Sequence, residues 1–417
     1  MPNAVVIGGG GIGVASAYYL NRSGWDVTLV DKGEIGHGCS YGNSCLIVPS
    51  HSDPIPGPGV IGQALRWIAR RDSPFYVRPR LDPSLLSFFW KFRRYCEPTA
   101  AERGFRALLG LSRGSLELYE ELIQNGDAEF FFERRGLVEV FHSDAELEHG
   151  RHVQEIQTSE GFTSTMLSRD EALELEPALS PTIRGALFTE GEAHGFSYGY
   201  VRSLAATLEK RGARFVTGRA VSRVLVENGT ARGVVVEGPE EQLTADIVVL
   251  AAGAWSGDLA KSIGIDIPMQ PAKGYSCTID TYEGAPALPI LNKKRRVIVT
   301  PLDSRLRFGG TLELTGFDQT IHGARYDAVV RGGREVLKTP PPMKNEEPWC
   351  GLRPVTPDGL PIIDRSSKLN GLDGLIVATG HAMLGFTQSP MTGKLVAALA
   401  NGDEPSLPLE PFRLGRF

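Results

Sequence analysis

The spacing of apolar positions changes character several times along the chain. Ala4 to Ile7 is a short uninterrupted apolar run, the pattern of a strand buried on both faces. Glycines fill Gly8 to Gly13, and a helix is predicted over Val14 to Ser23, stopped by Gly24. Val27-Thr28-Leu29-Val30 predicts a second buried strand ending at Asp31, which completes a βαβ unit of about thirty residues. Leu108, Leu109, Leu111, Leu116, Tyr119, Leu122 and Ile123 recur at helical spacing. β-Branched strands return at Val224–Val226, Gly233–Val236 and Ile247–Val249, and Met269 to Leu314 alternates with a period of two, as a hairpin-rich antiparallel sheet would. Beyond Pro340-Pro341-Pro342, Leu375–Ala378 predicts another buried strand and Gly393–Leu399 a final helix. Because the two kinds of sheet interleave, the domains are predicted to be discontinuous in sequence.

Composition narrows the class. At 417 residues the chain exceeds what one core comfortably supports, so two domains are expected. Hydrophobic residues at 41% and charged residues at 22% exclude disordered, collagen-like and coiled-coil classes. A net charge of −5 without a domain-sized basic face argues against a nucleic-acid partner. The 5 cysteines contain no C-x-x-C pair, matching neither a disulfide framework nor a zinc ribbon, which points to a reducing compartment. Met1-Pro2-Asn3 enters the first strand with no basic n-region, and no apolar run approaches the roughly 18 residues that span a bilayer. A cytoplasmic location is expected.

Gly8-Gly9-Gly10-Gly11-Ile12-Gly13 fits G-x-G-x-x-G between a buried strand and a helix start. In that context Gly8 permits the tight turn, Gly10 lets a pyrophosphate approach the backbone, and Gly13 lets helix and strand pack closely. The N–H groups of the helix start, from Gly11 and Ile12 onward, then face the phosphates. Asp31, with Lys32 beside it, stands where an acid accepts hydrogen bonds from an adenosine ribose. The motif alone does not separate nicotinamide from flavin, but two later segments favour flavin. Ile247 to Ser256 places a buried strand before Ala252 and Gly253, where backbone passes close to a dinucleotide. Thr379 to Thr387, containing Gly380, His381, Gly385, Phe386 and Thr387, leads from a buried strand to a helix predicted to begin near Pro390, whose N-terminus suits negative charge on a reduced flavin.

With these residues in view, the chain resembles the flavin-dependent amine and amino-acid oxidoreductases typified by D-amino-acid oxidase, glycine oxidase and sarcosine oxidase, and among them the single-chain bacterial D-amino-acid dehydrogenases. The resemblance runs nearly full length. Its specific parts are Val5–Gly13, Ser40-Tyr41-Gly42-Asn43-Ser44, Val48-Pro49-Ser50, Pro58-Gly59-Val60, Pro271–Ser276, Phe308–Glu313 and Gly351-Leu352-Arg353-Pro354 through Pro361. It implies FAD, with Ser40, Asn43 and Ser44 passing near the pyrophosphate and flavin ring and Val221 touching the adenine through its backbone. It implies that Arg353 binds the substrate carboxylate, which a planar guanidinium can do bidentately. Relatives of the sarcosine oxidase type attach flavin through a cysteine in this region, but here Gly351, not Cys350, falls at that position. FAD is therefore expected to be non-covalent.

Other candidates have two readings. Tyr275 lies on an alternating strand, where it is either packing or a pocket residue beside the flavin. His51 and His381 are either pocket polars or satisfied structural histidines. His149 and His152 have ligand-like spacing but no evident third ligand, so no metal is expected. Ala64–Arg71 and Ser84–Tyr95 mix aromatics with positive charge, as helices packing on the flavin domain or lying on a membrane near a quinone pool do. Lys293–Arg296 reads as a solvated turn.

The expected fold is an α/β flavoprotein with a glutathione-reductase-like, Rossmann-type FAD domain (1–85, 193–268 and 344–417) and an α+β antiparallel-sheet substrate domain (86–192 and 269–343). The expected reaction is oxidative deamination of D-amino acids by hydride transfer from Cα to flavin N5, with a quinone or the respiratory chain as acceptor and peripheral contact with the inner face of the membrane as one location. Rival activities are a D-proline or hydroxyproline dehydrogenase, a glycine or sarcosine oxidase, and a noncatalytic FAD electron-relay subunit.

Overall fold

A computed structural model of the chain describes residues 1–68, 73–238, 241–365 and 371–417. Ala69-Arg70-Arg71 of the first aromatic and basic segment lie outside the described residues. A six-stranded sheet runs in the order Arg214–Val216, Asp26–Val30, Asn3–Ile7, Ile247–Leu250, Leu375–Thr379, Ile362–Arg365. Its neighbours are parallel except the last pair. The uninterrupted apolar runs follow from burial on both faces. Ala4, Val6, Ile247, Val249, Ile376 and Ala378 join a core beneath the helices Gly11–Arg22, Pro98–Gln124, Ser197–Lys210 and Gly385–Asn401. Val5, Ile7, Val248, Leu250, Leu375 and Val377 alternate with them and pack against the three-stranded sheet Val221–Glu227, Thr230–Val236, Glu241–Thr244.

A second, nine-stranded sheet contains Gln270–Asp280 flanked by Arg305–Leu314 and Glu347–Val355, both antiparallel to it. Helix Gly323–Arg334 covers one of its faces through a separate core that includes Cys277, Ile279, Phe308 and Val329. Two elements fall on the other side of the expected domain division. Pro98–Gln124, expected with the substrate domain, buries Leu108, Leu111, Tyr119 and Leu122 in the core of the parallel sheet. Glu347–Val355, expected with the flavin domain, is an edge strand of the antiparallel sheet. Apolar periodicity reports that a face is buried and not which partner buries it.

The C-terminal helix begins at Gly385, five residues before the predicted start, and carries Pro390 inside it. Proline has no N–H to donate to the carbonyl four residues back. That carbonyl, of Phe386, instead accepts the Tyr119 hydroxyl at 2.6 Å. A buried side chain from another helix thus replaces the lost bond.

Candidate active site

The carboxyl ends of the parallel strands converge where ligands of open α/β sheets bind. Gly8 has φ +113°, and a Cβ there would lie 2.4 Å from the Ala251 carbonyl oxygen. A Cβ on Gly13 would lie 1.8 Å from the Gly8 carbonyl oxygen, so the helix meets the strand only through glycine. Over Gly10, by contrast, the nearest atom to such a Cβ is Ser40 Oγ at 3.7 Å, which leaves an open cradle beside the helix start. The Gly11 N–H donates to Ser40 Oγ at 2.9 Å, tying the loop after Gly38 to that cradle, and Ile12 packs partly against the helical core.

Asp31 Oδ2 accepts from the Gly9 N–H at 2.6 Å and Oδ1 from the Gly33 N–H at 2.7 Å. The carboxylate therefore shapes the glycine turn itself while keeping further lone pairs for a ribose. Lys32 Nζ sits 3.2 Å above the Trp255 ring. Gly218 N–H to Gly33 O at 3.2 Å and Arg219 N–H to Asp31 O at 3.3 Å bring the approach to Val221 to the same strand end. Gly253, with φ +55°, and Ala252 follow the next strand, and the Gly253 carbonyl accepts from the Thr379 hydroxyl at 3.1 Å. Gly380 has φ +83°, and Gly385, Phe386 and Thr387 form the first turn of the last helix. The Thr387 hydroxyl donates to the Leu46 carbonyl at 3.1 Å. An open phosphate cradle, an acid at the ribose position and a helix start at the far strand fit FAD.

The Ser40–Ser44 loop joins this edge to the antiparallel sheet. Arg307, buried, donates through Nη1 to the Tyr41 and Asn43 carbonyls at 2.8 and 2.9 Å and through Nε to Thr278 Oγ1 at 2.9 Å. Asn43 Oδ1 accepts from the Cys45 N–H at 2.8 Å, and the Ser44 carbonyl accepts from the Thr300 hydroxyl at 2.8 Å. Tyr41 donates to Glu347. Gly42 lies against the Trp349 ring so closely that a Cβ would be 2.0 Å from it.

Arg353 stands beside this loop on the strand Glu347–Val355, partly open to solvent. Burial pushes its guanidinium below the ordinary arginine value, and the nearby Cys39 opposes that. Its one hydrogen bond among the described residues runs from Nη1 to the Thr311 carbonyl at 2.7 Å, and no carboxylate of those residues pairs with it. A desolvated guanidinium with unused donors and no acid partner among the described residues has the chemistry to receive an external anion.

Tyr275 faces away from that guanidinium. Successive residues of a strand face opposite ways. Arg353 is registered opposite Ala272 while Tyr275 is opposite Cys350, so Tyr275 points to the other face. There it is buried in the core under helix Gly323–Arg334, its hydroxyl 3.3 Å from Glu313 Oε2. His381 is buried and shares a 2.9 Å hydrogen bond with Thr392 Oγ1, and burial depresses its pKa to about 3. It is a neutral structural histidine.

His51 keeps part of its surface open but is paired, Nε2 to Glu139 Oε1 at 2.7 Å and Nδ1 to Ser50 Oγ at 2.9 Å. Burial lowers its pKa, and Glu139 more than offsets that, for a net rise. Burial would raise Glu139, but Lys293, with Nζ at 2.9 Å, and His51 hold it well below the usual carboxylate range. Lys293 therefore leaves the predicted solvated turn for an ion pair, and Arg295 likewise pairs with Glu335 at 2.6 Å. Neighbouring Glu192 accepts from the Ser50 N–H at 2.8 Å through Oε1, and burial raises its pKa to about 7.

The Glu192 shift has a stability consequence. A carboxyl ionises near 4.3 when unfolded. Between that pH and about 7 the folded state holds the extra proton at Glu192, so this group's contribution to stability falls as pH rises. Glu192→Gln removes the titration, and its melting temperature relative to the parent is expected to rise between pH 5 and pH 8. Scanning calorimetry of both proteins at the two pH values checks this, and a constant difference would contradict it.

The parallel sheet with its glycine cradle, joined to an antiparallel sheet that presents a guanidinium with no acid partner among the described residues, defines a dinucleotide-dependent oxidoreductase. The family model described as DAO, FAD dependent oxidoreductase, matches residues 3–399. The chain belongs to this family of FAD-dependent oxidoreductases. It is 31% identical over 99% of its length to a D-amino acid dehydrogenase of Paramagnetospirillum magneticum, covering 98% of that protein. It is 32% identical, with the same coverage, to a D-amino acid dehydrogenase of Methylobacterium nodulans. Among solved structures, glycine oxidase from Geobacillus kaustophilus superposes with a TM-score of 0.79 at 22% identity, covering 100% of both chains. L-Proline dehydrogenase from P. horikoshii superposes with a TM-score of 0.76 at 22% identity, covering 100% of this chain and 97% of that one. These likenesses agree with a fold that joins a Rossmann-type parallel sheet to a large, mainly antiparallel one.

Proposed function

We propose that the chain oxidises D-amino acids, binding the substrate carboxylate through Arg353. The observation that carries this reading is the partly open, desolvated guanidinium with no acid partner among the described residues. The names of the relatives matched over 98% of their length support the D configuration. The chemistry FAD supplies is two-electron acceptance, by which an amine loses a hydride from Cα and leaves as an imino acid that water hydrolyses to a 2-oxo acid and ammonia. Gly8, Gly10, Gly11, Ile12 and Gly13 would hold the pyrophosphate, Asp31 the ribose, and Gly385 to Thr387 the negative end of the ring system. Arg353 fixes the carboxylate and with it the direction of Cα–H. No side-chain base is required for an amine that binds unprotonated, and His51, held by Glu139, is not assigned as one. FAD is proposed to dissociate intact: Gly351 carries no thiol, and Cys350, registered opposite Tyr275, donates its S–H to the Gln319 carbonyl at 2.9 Å.

The test is anaerobic mixing of the holoenzyme with paired D- and L-amino acids, glycine, sarcosine and prolines while following flavin absorbance. Faster bleaching by D enantiomers is expected. Bleaching confined to L-proline or to glycine and sarcosine overturns the D-amino-acid assignment, and none with any amine favours an electron-relay subunit.

The acceptor is proposed to be a membrane quinone reached by peripheral contact. Leu81, Leu86 and Trp90 are exposed around helix Pro83–Arg94, and the guanidiniums of Arg93 and Arg94 lie 5.5 and 5.9 Å from the Trp90 ring. The opposite side of that helix packs inward through Leu85 and Phe88. No described helix is long and apolar enough to cross a membrane. Co-sedimentation with anionic phospholipid vesicles is expected, weakened by Trp90→Ser and by salt; equal recovery of parent and variant in the pellet would count against it.

A further inference from the structure

We infer that Gly274 is a positioning residue for the substrate-binding guanidinium, resting on the reading of Arg353 above. Arg353 and Gly274 lie on adjacent strands and on the same face of the sheet, since Ala272 is opposite Arg353 and Gly274 is two residues further along that strand. A Cβ at Gly274 would sit 2.0 Å from Arg353 Nη1, 2.2 Å from Cζ and 2.2 Å from Nη2. The guanidinium thus lies flat on bare backbone. The three nearest heavy atoms to that Cβ all belong to the head of the arginine, so a methyl there meets the guanidinium first.

A second contact sets the direction of the fork. Between Lys273 and Tyr275 the pairing with strand Arg305–Leu314 shifts register: Lys273 is opposite Glu313 and Tyr275 opposite Gly310. Thr311 falls in this bulge with φ +63°, a conformation that strains a β-branched residue, and its hydroxyl is buried without a partner among the described residues. The bulge frees the Thr311 carbonyl from the ladder, and that carbonyl takes one Nη1 hydrogen at 2.7 Å. Four N–H donors of the guanidinium remain. Sheet backbone below and one carbonyl at the edge therefore fix the plane and rotation of the fork, so that a carboxylate is held at one angle.

The experiment uses holoenzymes of Gly274→Ala, Arg353→Ala and the double variant, with benzoate as a carboxylate that has no oxidisable amine. Benzoate binding is read from the flavin absorption band, alongside KM, kcat and melting temperature. Gly274→Ala is expected to fold and keep FAD, with benzoate Kd and amino-acid KM raised about tenfold or more and kcat reduced less, because a displacement near 1 Å is enough for such losses. In the Arg353→Ala background the same glycine substitution is expected to change nothing, since the group it displaces is gone. An unfolded or flavin-free Gly274→Ala protein, parental benzoate binding in it, or an equal effect of the alanine with and without Arg353 overturns the inference while leaving the carboxylate anchor standing. Parental benzoate binding by Arg353→Ala overturns the anchor itself.

Discussion

Arg353→Ala is expected to lose on the order of a hundredfold or more in kcat/KM while retaining FAD. The guanidinium is desolvated, and among the described residues its donors are free apart from the bond to Thr311, so a carboxylate placed there forms charge-assisted hydrogen bonds. Losing them removes both binding and the orientation of Cα–H. Arg353→Lys is expected to recover only part, because an ammonium is a point charge with different reach and cannot present two parallel N–H groups. Removing the guanidinium leaves no uncompensated acid behind, since none of the described carboxylates pairs with it, so the melting temperature of Arg353→Ala should change little. If Arg353 were instead a structural cation, the variant would melt earlier and shed flavin, with near-parental kinetics in the fraction that stays folded. Measuring kcat/KM per bound flavin beside thermal unfolding separates the two, and near-parental values per flavin would remove the carboxylate anchor.

The parts of this arrangement that are legible in the sequence are those whose physics is local. Gly8 and Gly13 are readable because a turn and a helix–strand contact leave no room for a side chain, and Gly10 because the cradle between them must stay open for a phosphate. Arg353 is reached through its motif, and nothing in the spacing of Gly351-Leu352-Arg353 says that the guanidinium lies over Gly274, which belongs to a strand far earlier in the chain. Tyr275 is left with two readings by the sequence for a related reason: alternation tells which residues share a face, but only the register with Glu347–Val355 tells which face meets the Ser40–Ser44 loop. The His51–Glu139–Lys293 cluster joins three separate segments, and its members look like ordinary surface charges until Glu139 is found buried. Arg307 carries no signal beyond its place next to Phe308-Gly309, although it clamps two carbonyls of the loop. The early start of the last helix is hidden by Pro390, whose lost hydrogen bond is replaced by Tyr119, 267 positions before the Phe386 carbonyl it reaches.

Asp31→Ala is expected to weaken FAD binding and also to destabilise the apoprotein, which a residue serving only the ribose would not do. In the folded chain the two carboxylate oxygens accept from Gly9 and Gly33, at 2.6 and 2.7 Å, so they hold the glycine turn in shape before any cofactor arrives. Alanine leaves both N–H groups to find water or go unpaired, costing about 1–3 kcal/mol for a group that stays buried. The ribose hydroxyls would lose charge-assisted hydrogen bonds worth about 1.5–3 kcal/mol, or roughly tenfold to a hundredfold in FAD affinity. Asp31→Asn keeps one carbonyl oxygen, and so should sustain one of the two backbone contacts and fall between parent and alanine in both properties. Apoprotein is prepared by releasing the flavin, which the non-covalent assignment requires to be possible, and is then titrated with FAD by fluorescence quenching while its melting temperature is recorded without cofactor. A lower apoprotein melting temperature together with weaker FAD binding supports the double role. Weaker binding with an unchanged apoprotein would confine Asp31 to the ribose, and unchanged affinity would remove it from the cofactor site altogether.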